Sequence, residues 1–172
     1  KALPFELKST DNKIISLDNI RGENGTLIMF ICNHCPYVKA ITKEIVEDCN
    51  ELKKIGINSV AICSNDFINY PEDSFDNMIK FSKDNQFSFP YLQDETQKIA
   101  KKYDAVCTPD FFGYDKDLGL QYRGRLRELK NFIPVKDGES DLLKAMKQIA
   151  ETGKGPKDQI PSAGCGIKWK YN

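Results

Sequence analysis

Residues 26–36 read TLIMFICNHCP. Leu27 to Cys32 is the longest uninterrupted apolar run in the chain. A short run of this kind between polar loops fits a central strand buried on both faces. It leads into Cys32, Asn33, His34, Cys35 and Pro36, a C-x-x-C pair followed by proline. Disulfide exchange needs one thiolate to attack and a second sulfur near enough to close the ring, and two intervening residues at a helix start hold the sulfurs at that distance. Proline has no N–H and is tolerated in a first helical turn, where those donors are unpaired. The expectation is a helix that starts at or just after Cys32.

Beyond the motif, Val38, Ile41, Ile45, Cys49 and Leu52 recur at helical spacing with charged residues between them, predicting an amphipathic helix that ends near Gly56. Ile57 to Cys63 reads as a second buried strand, and Phe75, Met78, Ile79 and Ser82 as a helical stripe. Asp94 is placed to cap a helix carrying Ile99, Ala100 and Tyr103. Ala105 to Asp115 and Leu118 to Arg123 predict a hairpin turning at Lys116 and Asp117. A last helix carries Leu142, Leu143, Met146, Ile149 and Ala150. Upstream, Phe5 to Leu7 and Ile14 to Ser16 read as short strands around a turn at Thr10 to Asn12. The order predicts an α/β layer structure: a central mixed sheet flanked by helices, with an N-terminal β-hairpin extension. A C-x-x-C at the carboxyl end of the first core strand is where such sheets place their sites.

The 172 residues fit one domain over 1–172, with 153–172 as a Gly-rich, mobile tail. Hydrophobic residues make up 40% and charged residues 29%, and 25 Lys plus Arg balance 25 Asp plus Glu. Nothing in that balance points to nucleic acid or to an anionic membrane. No apolar run approaches the ~20 residues of a membrane helix. Six cysteines with a single C-x-x-C do not make a disulfide scaffold, which favours a reducing, cytoplasmic compartment. The first residue is Lys1 rather than Met, which is compatible with a targeting segment upstream.

A helix starting at Cys32 would set free N–H groups around its sulfur and lower a thiol pKa from about 8.5 to between about 3.5 and 7.5. Cys32 is therefore the expected attacking thiol and Cys35, one turn further in, the more buried resolving thiol. His34, the only histidine, is expected to stabilise the Cys32 thiolate when protonated. A stabilised thiolate favours the dithiol over the disulfide, which points to a moderate oxidant or isomerase. A zinc site would need two further ligands, and no second C-x-x-C or histidine supplies them. Neither cofactor nor metal is expected. Cys49, Cys63 and Cys107 read as small buried hydrophobes. Cys165, in the tail, is expected to be an auxiliary thiol able to bond to the active-site pair.

Three runs, FELKSTDNKIISLDNIRG, TLIMFICNHCPYV and VCTPDFFGYDKDLGLQYRG, resemble thioredoxin-fold redoxins of the alkyl hydroperoxide reductase and thiol-specific antioxidant type. The tail PSAGCGIKW resembles that of an uncharacterised branch with the same C-N-H-C-P site. The resemblance implies a thiol-disulfide oxidoreductase with a cis bond at Thr108–Pro109, a segment whose backbone faces the dithiol and receives substrate. Thr108, Pro109 and Asn33 are the substrate-binding residues it implies. It also implies protein or small-molecule thiols and disulfides as partners, with an electron donor or acceptor protein.

Two departures accompany it. Thioredoxins carry Trp just before the first Cys and a buried Asp six residues before it, where this chain has Ile31 and Thr26. Glu44 and Asp110 are the candidate proton acceptors, although each reads first as a solvated surface acid. A peroxiredoxin-like peroxidase is the alternative, weakened by Met29 at the position three before Cys32, where such enzymes have Thr or Ser. A copper-binding protein of the same fold would space its cysteines by three residues and add a distant His. A binding module without turnover is a third class.

Overall fold

The computed structural model describes residues 1–170. In chain order the elements are β1 (Glu6–Ser9), β2 (Ile14–Ser16), α1 (Leu17–Ile20), β3 (Gly25–Phe30), α2 (Pro36–Lys39), α3 (Thr42–Lys53), β4 (Ile57–Cys63) and α4 (Phe75–Asp84). There follow β5 (Tyr91–Gln93), α5 (Lys98–Lys102), β6 (Cys107–Thr108), β7 (Asp110–Tyr114), β8 (Leu120–Gly124), β9 (Leu129–Lys130), β10 (Ile133–Pro134), α6 (Asp141–Thr152) and β11 (Cys165–Gly166). Seven strands form one mixed sheet in the order β2-β1-β5-β4-β3-β7-β8. β3 runs parallel to β4 and antiparallel to β7, so it sits inside the sheet. This is the expected α/β architecture, and the N-terminal hairpin joins the main sheet through the β1–β5 pairing.

All six residues of β3 are buried. Successive side chains point to opposite faces of a strand, so Leu27, Met29 and Ile31 enter the core on one face while Ile28 and Phe30 enter the other. The first face is closed by Ile45, Cys49 and Leu52 of α3 and by Leu142, Met146 and Ile149 of α6. The second is an aromatic layer of Phe30, Tyr103 and Phe112 with Ile62 and Leu92. Among the described residues no helix is long and apolar enough to cross a membrane.

Three expectations need correction. The helix after the motif starts at Pro36, with Cys35 as its N-cap, and is interrupted at Ile41 before α3. There the Thr42 hydroxyl donates to the Val38 carbonyl at 2.7 Å, a back-bond that bends helices. The tail is not loose, because β11 pairs antiparallel with β6, placing Cys165 opposite Thr108. Glu44 and Asp110 are not surface acids. Asp110 is buried and pairs with Arg123 at 3.0 Å. Glu44 is buried against Arg127, whose Nη2 lies 2.6 Å from its carboxylate and also donates to the Gly138 carbonyl, while Nη1 donates to that of Val135.

Removing one member of a buried ion pair leaves the other charge uncompensated, at a cost of about 3–5 kcal/mol. Chemical denaturation of Arg127→Ala should show a loss of that order. Lys136→Ala, which removes the exposed partner 3.4 Å from Glu44, should cost under about 1 kcal/mol. Equal losses for the two variants would contradict this view of the pair.

Candidate active site

β3 and β4 both end at the same edge of the sheet. The chain leaving β3 turns through Cys32, Asn33 and His34 before α2 begins. The turn is pinned by Asn33. Its backbone N–H donates to Asp73 Oδ1 at 2.8 Å, its side-chain amide donates to the Glu72 carbonyl at 3.1 Å, and its side-chain oxygen accepts from the Tyr91 hydroxyl at 2.7 Å. Both ends of this side chain are therefore used internally. Asn33 therefore supports the loop from within.

Cys32 and Cys35 are each only 1% exposed, and both are free thiols. Each thiol bears on the ionisation of the other. Opposite them stands Thr108, whose hydroxyl lies 3.5 Å from Cys32 Sγ and whose carbonyl lies 3.3 Å from Cys35 Sγ. The Thr108–Pro109 bond is cis. The backbone edge of Thr108 is occupied by β11, and the Pro109 carbonyl accepts from the Ser162 hydroxyl at 2.5 Å, so the chain's own tail covers the segment expected to receive substrate. A cavity of about 400 Å³ beside Pro109 is bounded by Tyr37, Ile41, Leu129 and Pro161.

The two sulfurs have opposite surroundings. Cys35 caps α2 with Pro36 at the first helical position. A hydrogen bond from the Cys32 thiol is the main influence holding the Cys35 thiol well below its ordinary range, opposed by burial and assisted by the Cys165 thiol and the N–H groups of Val38 and Cys165. Against this, the Cys35 thiol donates to the Thr108 carbonyl, and the Thr108 hydroxyl favours the Cys32 anion. Cys32 is pushed far up, first by giving its proton toward Cys35, then by burial and by the Asp73 carboxylate. Cys35, rather than Cys32, stands at the helix start, as the residue before Pro36.

Asp73, on a single 3-10 turn over Pro71–Asp73, is the residue that sequence reasoning missed. Its side chain is fully buried, Oδ1 accepts from Asn33 and Oδ2 accepts from Asn65 Nδ2 at 2.8 Å. It is a buried acid whose carboxylate lies within 4.8 Å of Cys32 Sγ. No spacing rule links it to the motif; only the fold brings it there. His34 Nδ1 lies 2.7 Å from Asp73 Oδ2 but is not aligned for a hydrogen bond, and its ring stacks at 6.2 Å on Tyr70. His34 thus stands beside both Asp73 and Cys32. Cys32, His34 and Asp73 each place one donor atom within 4.8 Å of the others, the one such group found among the described residues. Three donors are one short of the four that a structural zinc site uses.

Of the other cysteines, Cys49 and Cys63 are buried in the core as expected, each thiol pushed up to about 12, chiefly by burial. Cys107 is half-buried, with its thiol toward the Pro109 carbonyl at 3.7 Å. Cys165 lies against Cys35.

The family model described as AhpC/TSA family matches residues 1–125. A search of curated proteins returned no match. Among solved structures, the chain is similar to an uncharacterised conserved protein from Geobacillus kaustophilus, at 42% identity and TM-score 0.94 over 100% of this chain and 92% of that one. It is also similar to a hypothetical protein from Sinorhizobium meliloti 1021, at 31% identity and TM-score 0.92 over 100% and 94% of the two chains. A thioredoxin-family thiol:disulfide interchange protein from Chlorobium tepidum TLS shares the fold at 15% identity and TM-score 0.66, over 87% and 94%. With its thioredoxin-like sheet and a family match over most of its length, the chain belongs to the AhpC/TSA family.

Proposed function

We propose that the protein is a thiol-disulfide oxidoreductase in which Cys35 attacks and Cys32 resolves. The observation that supports this reading is the placement of the pair: Cys35 is the N-cap of α2 with Pro36 at the first helical position, whereas Cys32 Sγ lies within 4.8 Å of the Asp73 carboxylate. Only the thiolate is a competent nucleophile, so the sulfur that holds the charge is the one that attacks. The Cys35 thiolate attacks one sulfur of a substrate disulfide and forms a mixed disulfide, and the departing sulfur leaves as a thiolate. Cys32 then displaces the second substrate sulfur, and the Cys32–Cys35 disulfide forms. For this step Cys32 must lose its proton, and Asp73, fixed by Asn33 and Asn65, is the carboxylate within reach. Substrates are protein or small-molecule disulfides, and a separate electron donor or acceptor protein resets the dithiol. Thiol-disulfide exchange is also what the Chlorobium tepidum neighbour's description names. The residue three before Cys35 is Cys32, so the Thr or Ser associated with peroxide reduction is not found there either.

The roles are testable by release of the first thiol from a small disulfide. Cys32→Ser should still release it at close to the wild-type rate, because the serine hydroxyl can also donate to Cys35. Cys35→Ser should release almost none. The opposite result would restore Cys32 as the attacking thiol. Asp73→Asn should slow formation of the Cys32–Cys35 disulfide several-fold near neutral pH, and by less at high pH, where Cys32 ionises without a base. A deficit that is the same at every pH would assign Asp73 a purely structural part.

A further inference from the structure

The loop that opens the motif and the turn over Pro71–Asp73 bring three different donors together: Cys32 Sγ, His34 Nδ1 and an Asp73 carboxylate oxygen, all within 4.8 Å of one another. The carboxylate is held from outside the group. The Asn33 N–H, lying between the two motif donors in sequence, donates to Asp73 Oδ1 at 2.8 Å, and Asn65 Nδ2 donates to Oδ2 at 2.8 Å. Asn65 is fixed in turn by the Lys168 N–H, which donates to its Oδ1 at 2.9 Å. Turning Asp73 away from Cys32 and His34 would break both of its hydrogen bonds.

Hydrogen bonding leaves two features of this group unexplained. The Asp73 side chain is fully buried, yet His34 is its only basic neighbour at ion-pair distance among the described residues. His34 Nδ1 is itself buried, lies 2.7 Å from Asp73 Oδ2 and has no hydrogen-bond partner, because an N–H there would not point along the line to the carboxylate. A buried carboxylate without a fixed cation and an orphaned imidazole nitrogen beside it are both costly, and a positive ion in contact with the two relieves both costs.

We propose that reduced Cys32, His34 and Asp73 form a Zn²⁺ site with an open fourth position. Thiolate, imidazole and carboxylate are the ligand types zinc takes, and zinc sites that are not purely structural use three protein donors with water as the fourth. Bonds of about 2.0–2.3 Å set tetrahedral donors about 3.3–3.8 Å apart. The 2.7 Å between His34 and Asp73 is shorter than this and the 4.8 Å limit of the group is longer, so side-chain shifts of about 1 Å close the set. Asn33 and Asn65 are the outer partners that orient the ligating carboxylate. His34, whose side chain is 26% exposed, is the way in for the ion. The Cys32 thiol gives its proton to solvent as the sulfur–zinc bond forms, and the thiolate and carboxylate charges together cancel that of the ion.

Cys32 cannot hold zinc and belong to a disulfide at once. A substrate disulfide R–S–S–R′ that oxidises the pair takes two electrons from the Cys32 thiolate and the Cys35 thiol, departs as one thiol and one thiolate, and sets Zn²⁺ free. The ion therefore withholds Cys32 from exchange whether that thiol attacks or resolves, and oxidation discharges the ion. This switch presupposes the dithiol activity proposed above; the metal site does not.

The test is calorimetric titration of the reduced, metal-free full chain with Zn²⁺. One equivalent should bind. His34→Ala and Asp73→Asn should each weaken binding by about ten-fold or more, Cys32→Ser should abolish it, and Cys35→Ser should keep it within a few-fold. Protein oxidised to the Cys32–Cys35 disulfide should bind none. Because His34 is partly exposed, His34→Ala decides the matter even if a change at buried Asp73 unfolds the chain. Co²⁺ in place of Zn²⁺ should give a sulfur-to-cobalt charge-transfer band that Cys32→Ser lacks. Absence of binding to the reduced chain overturns the proposal. So does binding that His34→Ala leaves unchanged or that Cys35→Ser removes, since the ion would then sit on the two thiols of the motif. None of these readouts needs turnover, so failure of the oxidoreductase reading shows separately, as zinc-free protein that does not exchange disulfides.

Discussion

Two buried sulfurs in hydrogen-bonding contact cannot both carry a charge, and the rest of the site follows from which of them does. Interacting thiols titrate as a pair, and the proton stays with the member whose surroundings least favour an anion. Here Asp73 and the Thr108 hydroxyl stand on the Cys32 side, and the N–H groups of Val38 and Cys165 and the Thr108 carbonyl stand on the Cys35 side. Thr108 contacts both sulfurs at 3.5 and 3.3 Å and gives the arrangement a fixed wall. The sheet contributes by position: β3 and β4 release their chains at one edge, and β6 with cis Pro109 faces them.

The fold was largely legible because its cues are local. Ile57–Cys63 is a strand over the very residues its apolar run marks, and the stripes at Phe75 and Leu142 are helices. The three-residue β5 was not legible, since Tyr91–Gln93 is too short to show a period and is a strand only because β1 and β4 flank it. The helix start was misplaced although the sequence contains its cue. Proline is favoured at the first helical position, which puts the cap on the residue before it, Cys35. Asp73, Glu44 and Asp110 could not be placed, because each is buried by a partner remote in sequence: Asn33, Arg127 and Arg123 respectively.

The tail shows how composition can mislead. Glycines near Cys165 suggested mobility, yet Gly164 is there because only its missing side chain lets the backbone approach Thr108. With β11 docked, both members of the C-x-x-C pair are sealed to 1% exposure. Asp73 and His34 then form the opposite wall, a buried carboxylate beside the only histidine in the chain.

The alkylation rate of the fully reduced protein against pH, with the modified cysteine identified by mass mapping at low labelling, tests the central claim most directly. A thiol held below its ordinary range stays ionised, and so stays reactive, as pH falls through neutrality. The account predicts that Cys35 is labelled first, with a midpoint well below the about 8.5 of a free thiol. First labelling at Cys32, or a Cys35 midpoint at the free-thiol value, would contradict it.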